Sequence, residues 1–255
     1  MKHFTKVLPV LGLVATVSYV GEAAADFTGN AAATSDYVWR GITQTNGNAA
    51  IQGGIDYSAP VGIYVGAWTS NTDFGDEFTK SYELDLYAGY AFELGPVAID
   101  VGYVGYIYPQ TDDDPSTVDF DEGDIDFNEG YLGVGFEVGK TSWLVKANYS
   151  SDVFATGQDG LYLELGLDIP IKDDLVLAFH VGNYNFDVDD PKEADFAGFD
   201  DYTDYSVSLT KGDFTFTWSD TDLNSDIATD PLLDFDADED AKIFVTWSKE
   251  WDLLK

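Results

Sequence analysis

Arginine occurs once in this chain of 255 residues, at Arg40, against 47 acidic residues. A guanidinium can grip two carboxylate oxygens at once and fix its partner in place. Asp36 lies four residues before it, and other acids fall at even spacings: Glu83 with Asp85, Glu129 with Glu137, Glu164 with Asp168. Residues an even number apart on an extended chain share one face. With Asp100, Lys146, His180 and Lys242 they form a candidate charged lining. Such a lining could concentrate cations, or its acids could pair with Arg40, Lys146 and Lys242 and lock neighbouring segments.

Catalytic chemistry is a weaker reading of the same residues. Glu83 and Asp85 share a face as a glycosidase pair can, but such pairs arise by chance in a chain this acidic. His180 is the one histidine after residue 25. It falls on the polar, inward side, whereas a barrel lipase needs its triad at the lipid-accessible surface. There is no Gly-x-Ser-x-Gly elbow and no phosphate-binding glycine loop. The absence of cysteine removes thiolate chemistry, Cys-ligated zinc and disulfides. Asp234, Asp236, Asp238 and Asp240 have the early spacing of an EF-hand, but Glu239 stands where glycine is needed and Val245 where glutamate is needed. The reading is therefore no enzyme, no cofactor and no metal site.

The elements that must position these residues are strands. Leu161, Leu163, Leu165, Leu167, Ile169 and Ile171 alternate with Tyr162, Glu164, Gly166, Asp168 and Lys172. Twelve segments of this kind are predicted, near 27–40, 48–59, 62–71, 81–93, 97–110, 126–139, 141–153, 160–172, 175–187, 202–212, 213–223 and 241–253. Most exceed the ~9–11 residues that cross a bilayer at a tilt. Apolar sets such as Leu84 with Leu86, Val134 with Phe136 and Phe214 with Trp218 are assigned outward. The acids, Lys146, Lys242, His180 and many glycines are assigned inward, where a dry core could not hold them. On the first strand Arg40 shares a face with Asp36, opposite Tyr37 and Trp39, near the long-loop rim.

The links alternate in length. Ser58–Gly62, Glu93–Pro96, Gly139–Thr141, Pro170–Asp174 and Thr210–Asp213 are short; Ser70–Ser81, Pro109–Asp126, Ser150–Gly160, Asp187–Asp201 and Asp220–Ala241 are long. Short turns on one side and long, acidic loops on the other predict a transmembrane, antiparallel, up-and-down β-barrel of about twelve strands. Residues 1–25 read as an export signal: Lys2, His3 and Lys6, then an apolar run Val7–Val20, then Ala23-Ala24-Ala25. That run of 14 residues is too short for a spanning helix. The barrel would then occupy 26–255.

The formal charge is −35, and removal of residues 1–25 would leave it near −36. Nucleic acid would be repelled. The expected partners are outer-membrane lipid and small hydrophilic solutes or cations; the oligomeric state is left open.

Ser35-Asp36-Tyr37-Val38-Trp39-Arg40-Gly41-Ile42-Thr43-Gln44, with Ala50-Ile51-Gln52-Gly53-Gly54-Ile55-Asp56-Tyr57 and Gly66-Ala67-Trp68-Thr69-Ser70-Asn71, resembles the start of the TorF family of porins. The resemblance covers roughly 34–71 and continues beyond as strand rhythm. It implies an outer-membrane barrel with pore activity in a Gram-negative bacterium. Three readings stand: a narrow, cation-preferring diffusion pore; a non-conducting structural or adhesive barrel acting through its acidic loops; and a soluble secreted β-protein.

Overall fold

The computed structural model describes residues 25–74, 81–109, 125–155, 157–187, 201–223 and 241–254. All of the proposed signal but Ala25, and most of the acidic loop residues including Asp234 to Asp240, lie outside them. Twelve strands close into one antiparallel barrel. In chain order they are β1 (Asp26–Thr34), β4 (Ala50–Ser58), β5 (Ile63–Thr72), β6 (Ser81–Leu94), β7 (Val97–Ile107), β8 (Phe127–Val138), β9 (Thr141–Ser150), β10 (Asp159–Lys172), β11 (Leu175–Asp187), β12 (Tyr202–Lys211), β13 (Phe214–Thr221) and β14 (Lys242–Asp252). Each strand pairs with its chain neighbour, and β1 closes the ring against β14. Closure leaves no unpaired edge.

Register determines the faces, because residues paired across strands point the same way. Phe92, Ile99, Val134, Val145, Leu165, Val181 and Tyr205 are successive partners across β6 to β12. This apolar row lies on the outside, with exposed Leu86, Val101, Leu132, Leu163, Phe179, Leu209 and Phe216 around it. A water-soluble monomer rarely exposes so continuous an apolar surface; a lipid belt requires one.

The inner face carries a different row: Tyr64, Gly89, Gly102, Tyr131, Asn148, Tyr162, Tyr184 and Tyr202 across β5 to β12. Tyrosines face glycines here because a ring lies flat over a backbone that has no Cβ. A Cβ on Gly102 would collide with the Tyr131 ring, and one on Gly66 with the Tyr87 ring.

The first strand departs from the sequence reading. It ends at Thr34 instead of running to residue 40, and residues 35–49 turn into the barrel. There Val38–Trp39 (β2) and Ile42–Thr43 (β3) form a small antiparallel hairpin separate from the wall. Polar side chains cause the break. Asp36 Oδ1 accepts hydrogen bonds from Thr43 Oγ1 (2.6 Å) and Thr45 Oγ1 (3.2 Å), and Thr45 Oγ1 receives the Tyr37 amide (3.0 Å). The last of these satisfies a backbone amide that would otherwise need the ladder, and the first two fix the loop that provides it. Tyr37 and Trp39 are consequently buried inside the barrel, not turned outward.

Candidate functional site

The hairpin turns over two residues, Arg40 (φ 47°) and Gly41 (φ 82°). Positive φ at both central positions is the type I′ geometry that matches strand twist. Glycine adopts it freely, and a non-glycine residue such as Arg40 does so at a cost of about 1 kcal/mol or more. Gly41 is also pressed against the inner wall at β12 and β13: a Cβ there would lie 2.8 Å from Asp204 Cβ and 3.2 Å from Thr221 Cβ. The tip therefore lies inside the lumen, against its wall. Gly41→Ala should displace it and cost about 1–2 kcal/mol through strain and clash together. The check is fluorescence of Trp39 in the refolded barrel, whose emission should shift to the red; an unshifted spectrum counts against this packing.

Arg40 makes the anchoring contact. Its Nη1 and Nη2 donate to Glu129 Oε1 and Oε2 at 2.7 and 2.8 Å, a two-pronged pair with β8 on the opposite wall. The side chains are 7% and 0% exposed. The guanidinium also lies 4.2 Å from the Trp39 ring, 4.0 Å from Tyr162 and 4.8 Å from Tyr184. Flat stacking on rings and a forked carboxylate grip are what arginine supplies and lysine does not. Burial works against the Arg40 charge, but Glu129 outweighs it and holds the group above its ordinary pKa. Tyr106 Oη donates to Glu129 Oε2 at 3.1 Å, so the carboxylate is held from a second direction.

Aromatic rings pack the rest of the hairpin. Trp39 meets Tyr106, Phe127, Phe154 and Tyr184 edge-on, and Tyr37 meets Trp68 in the same way at 5.6 Å. Tyr37 Oη donates to Glu83 Oε1 at 3.4 Å. Burial, then the charges of Glu83 and Asp85, raise the Tyr37 phenol well above its usual pKa and keep its proton on. The long-loop half of the lumen is thus crossed by a bar of ordered side chains.

The residues singled out in the sequence fall into four groups. Arg40 and Glu129 meet directly. Glu83 and Asp85 sit side by side on β6, fully buried. Asp100, Lys146, Glu164 and His180 occupy the inner face below the bar. Tyr64 Oη donates to Asp100 Oδ1 at 2.7 Å, and Lys146 Nζ lies 4.3 Å from the Tyr131 ring centre. His180 Nδ1 is 3.7 Å from Glu164 and its Nε2 is 3.1 Å from Asp204. The others are dispersed: Asp36 is tied within its own loop, Glu137 and Asp168 lie toward the short turns, and Lys242 lies at the long-loop end of β14. The expectation that Asp36 and Arg40 share a strand face fails, because β1 has ended before either.

Several contributors were missed. Asp56, Asp204 and Glu250 also face inward by register. Alternation in β4, β12 and β14 carries that signal. Trp39 and Tyr184 could not have been found this way, since nothing in their spacing shows which ring meets Arg40.

The family model for Gcw_chp, described as a bacterial protein of unknown function, matches residues 20–249. The chain belongs to the Gcw_chp family. That match carries the Gcw_chp name and not the TorF name, and among curated proteins none matches the chain. In fold this Gcw_chp chain is similar to the solved structure titled KdgM porin: 8% identity, 89% of this chain and 99% of that chain covered, TM-score 0.51. It is also similar to the COG4313 outer-membrane channel from Pseudomonas putida F1, at 9% identity, 94% and 100% coverage and a TM-score of 0.50. Likeness at these identities concerns architecture. The Gcw_chp chain has the fold of outer-membrane β-barrels.

Proposed function

We propose that this protein is an outer-membrane channel for passive diffusion of small hydrophilic solutes, narrowed by its own β2–β3 hairpin and preferring cations. Residues 1–25 serve as the export signal, and the barrel works in the outer membrane without catalysis. The observation that carries the reading is the two-faced wall: a continuous apolar belt outside and a polar, ionisable face inside. The fold similarity to a porin and a channel, and the TorF-like stretch at 35–71, support the same reading.

The cation preference rests on charge. Asp56, Glu83, Asp85, Asp100, Glu129, Glu137, Glu164, Asp168, Asp204 and Glu250 face inward against Arg40, Lys146 and Lys242, and Arg40 is already committed to Glu129. A surplus of carboxylates in a narrow passage raises the local cation concentration. In a planar bilayer with a KCl gradient, the reversal potential should lie toward the K⁺ value. A potential at zero or toward Cl⁻ would remove the cation preference while leaving the channel.

One observation favours a second reading. The bar of Tyr37, Trp39 and Arg40 is packed like a core, and a barrel closed this way would be structural or adhesive, acting through its loops. Absence of any conductance from a correctly folded barrel would select it.

A further inference from the structure

Most buried side-chain polar atoms of the described residues have hydrogen-bond partners, and five do not. Four of these five are on two neighbouring strands: Thr72 Oγ1 on β5, and Glu83 Oε2, Asp85 Oδ1 and Asp85 Oδ2 on β6. Asp85 is 0% exposed and Glu83 1%. Both face inward, two residues apart on one strand. Ser70, two residues before Thr72, is the cross-strand partner of Glu83, so the Thr72 hydroxyl lies on the same inner face, toward the long-loop end. Tyr37 caps the group from the hairpin by its bond to Glu83 Oε1.

This cluster contrasts with every other inward acid near the bar. Glu129 has Arg40 and Tyr106, Asp100 has Tyr64, and Asp204 has Tyr162 and His180. No cationic side chain of the described residues lies within ion-pair distance of Glu83 or Asp85. Two buried carboxylates without a counter-charge are expensive. A proton shared between them satisfies one contact and leaves the remaining oxygens bare. A bound cation satisfies them together. The donor atoms, Glu83 Oε2 and the two Asp85 carboxyl oxygens, are all oxygens of anionic groups, which suits a hard cation with loose geometric demands, Ca²⁺ before Mg²⁺.

We propose that Glu83 and Asp85, beneath Tyr37, bind a divalent, oxygen-seeking cation such as Ca²⁺ inside the lumen. Binding there ties the hairpin to β6, as Arg40 ties it to β8. The site is independent of conduction: a barrel that binds the ion but passes no current would keep the site and lose the channel.

The test uses the full barrel refolded in detergent, with Tb³⁺ as the probe. Trp68 is the cross-strand partner of Asp85, and Tyr37 packs against it, so excitation of these rings should sensitise Tb³⁺ bound at the site. The expected result is one saturable sensitised component that Ca²⁺ displaces. Asp85→Asn and Glu83→Gln should each weaken it by about tenfold or more, since affinity follows ligand charge. Glu137→Gln, near a short turn, should leave it unchanged. Heat-modifiable gel mobility establishes that each variant has folded, and Asp85→Glu, which keeps the charge and moves the oxygens, supplies a second variant with weakened sensitised binding if the neutral variants do not fold. Equal sensitised binding in wild-type and Asp85→Asn, or no saturable component in wild-type, overturns the proposal.

Discussion

Arg40→Ala should open the lumen, raising single-channel conductance severalfold while the barrel itself stays folded. The substitution strands Glu129, which is fully buried with its two oxygens aimed at the missing guanidinium. Leaving one partner of a buried ion pair alone costs about 3–5 kcal/mol if the surroundings stay in place. The surroundings need not stay. The hairpin is joined to the wall at 34 and 50 and its tip has no ladder partner in the barrel. Releasing the hairpin lets water reach Glu129, so the system relaxes by unlatching. Arg40→Lys should give an intermediate result, because an ammonium keeps the charge and loses the fork and the stacking on Trp39, Tyr162 and Tyr184. Glu129→Gln should open the lumen by the same route, stranding the guanidinium instead. Planar-bilayer recordings measure all three. Unchanged conductance in Arg40→Ala, with heat-modifiable mobility intact, would show that the hairpin is no obstruction to ions.

Leu165→Arg is the second large effect, acting on assembly instead of conduction. Leu165 lies in the middle of the outer apolar row, paired with Val145 and Val181. Arginine on the lipid face near the bilayer midplane costs about 2–4 kcal/mol. Folding into lipid vesicles should therefore fail or require weaker denaturant, read as loss of the heat-modifiable band. Asp168→Asn, three positions along on the inner face, should fold like wild-type. If the two variants folded equally well, the inside and outside of the barrel would have to be exchanged or the membrane assignment abandoned.

The contrast between these two predictions marks where sequence reasoning worked. The faces of β10 could be read because a period of two is local: Leu165 and Asp168 have opposite roles whatever their neighbours do. The same rule located the strands to within a few residues, apart from β1, and it brought Glu83 and Asp85 to one face. It failed at 35–49 because the Tyr37-Val38-Trp39 alternation looks the same on a wall as on a hairpin inside it. Apolar Trp39 was assigned to lipid, yet an aromatic lumen offers an equally dry place. The stop after Thr34 depends on Asp36, Thr43 and Thr45 meeting across a loop, and such contacts leave no periodic trace.

The sequence by itself determined the two-faced strands, their number, the alternation of short and long links, and the acidic interior. All of these follow from side-chain alternation and turn chemistry within a few residues. Only the tertiary structure decided that residues 35–49 enter the lumen, that Arg40 among them grips Glu129 across the barrel, and that Glu83 Oε2 and both Asp85 carboxyl oxygens are left without a donor beneath Tyr37. The physical reason is closure. Curling twelve strands into a ring brings residues 89 positions apart within hydrogen-bond distance, and a contact across that ring depends on shape and register, which the pattern along one strand does not contain.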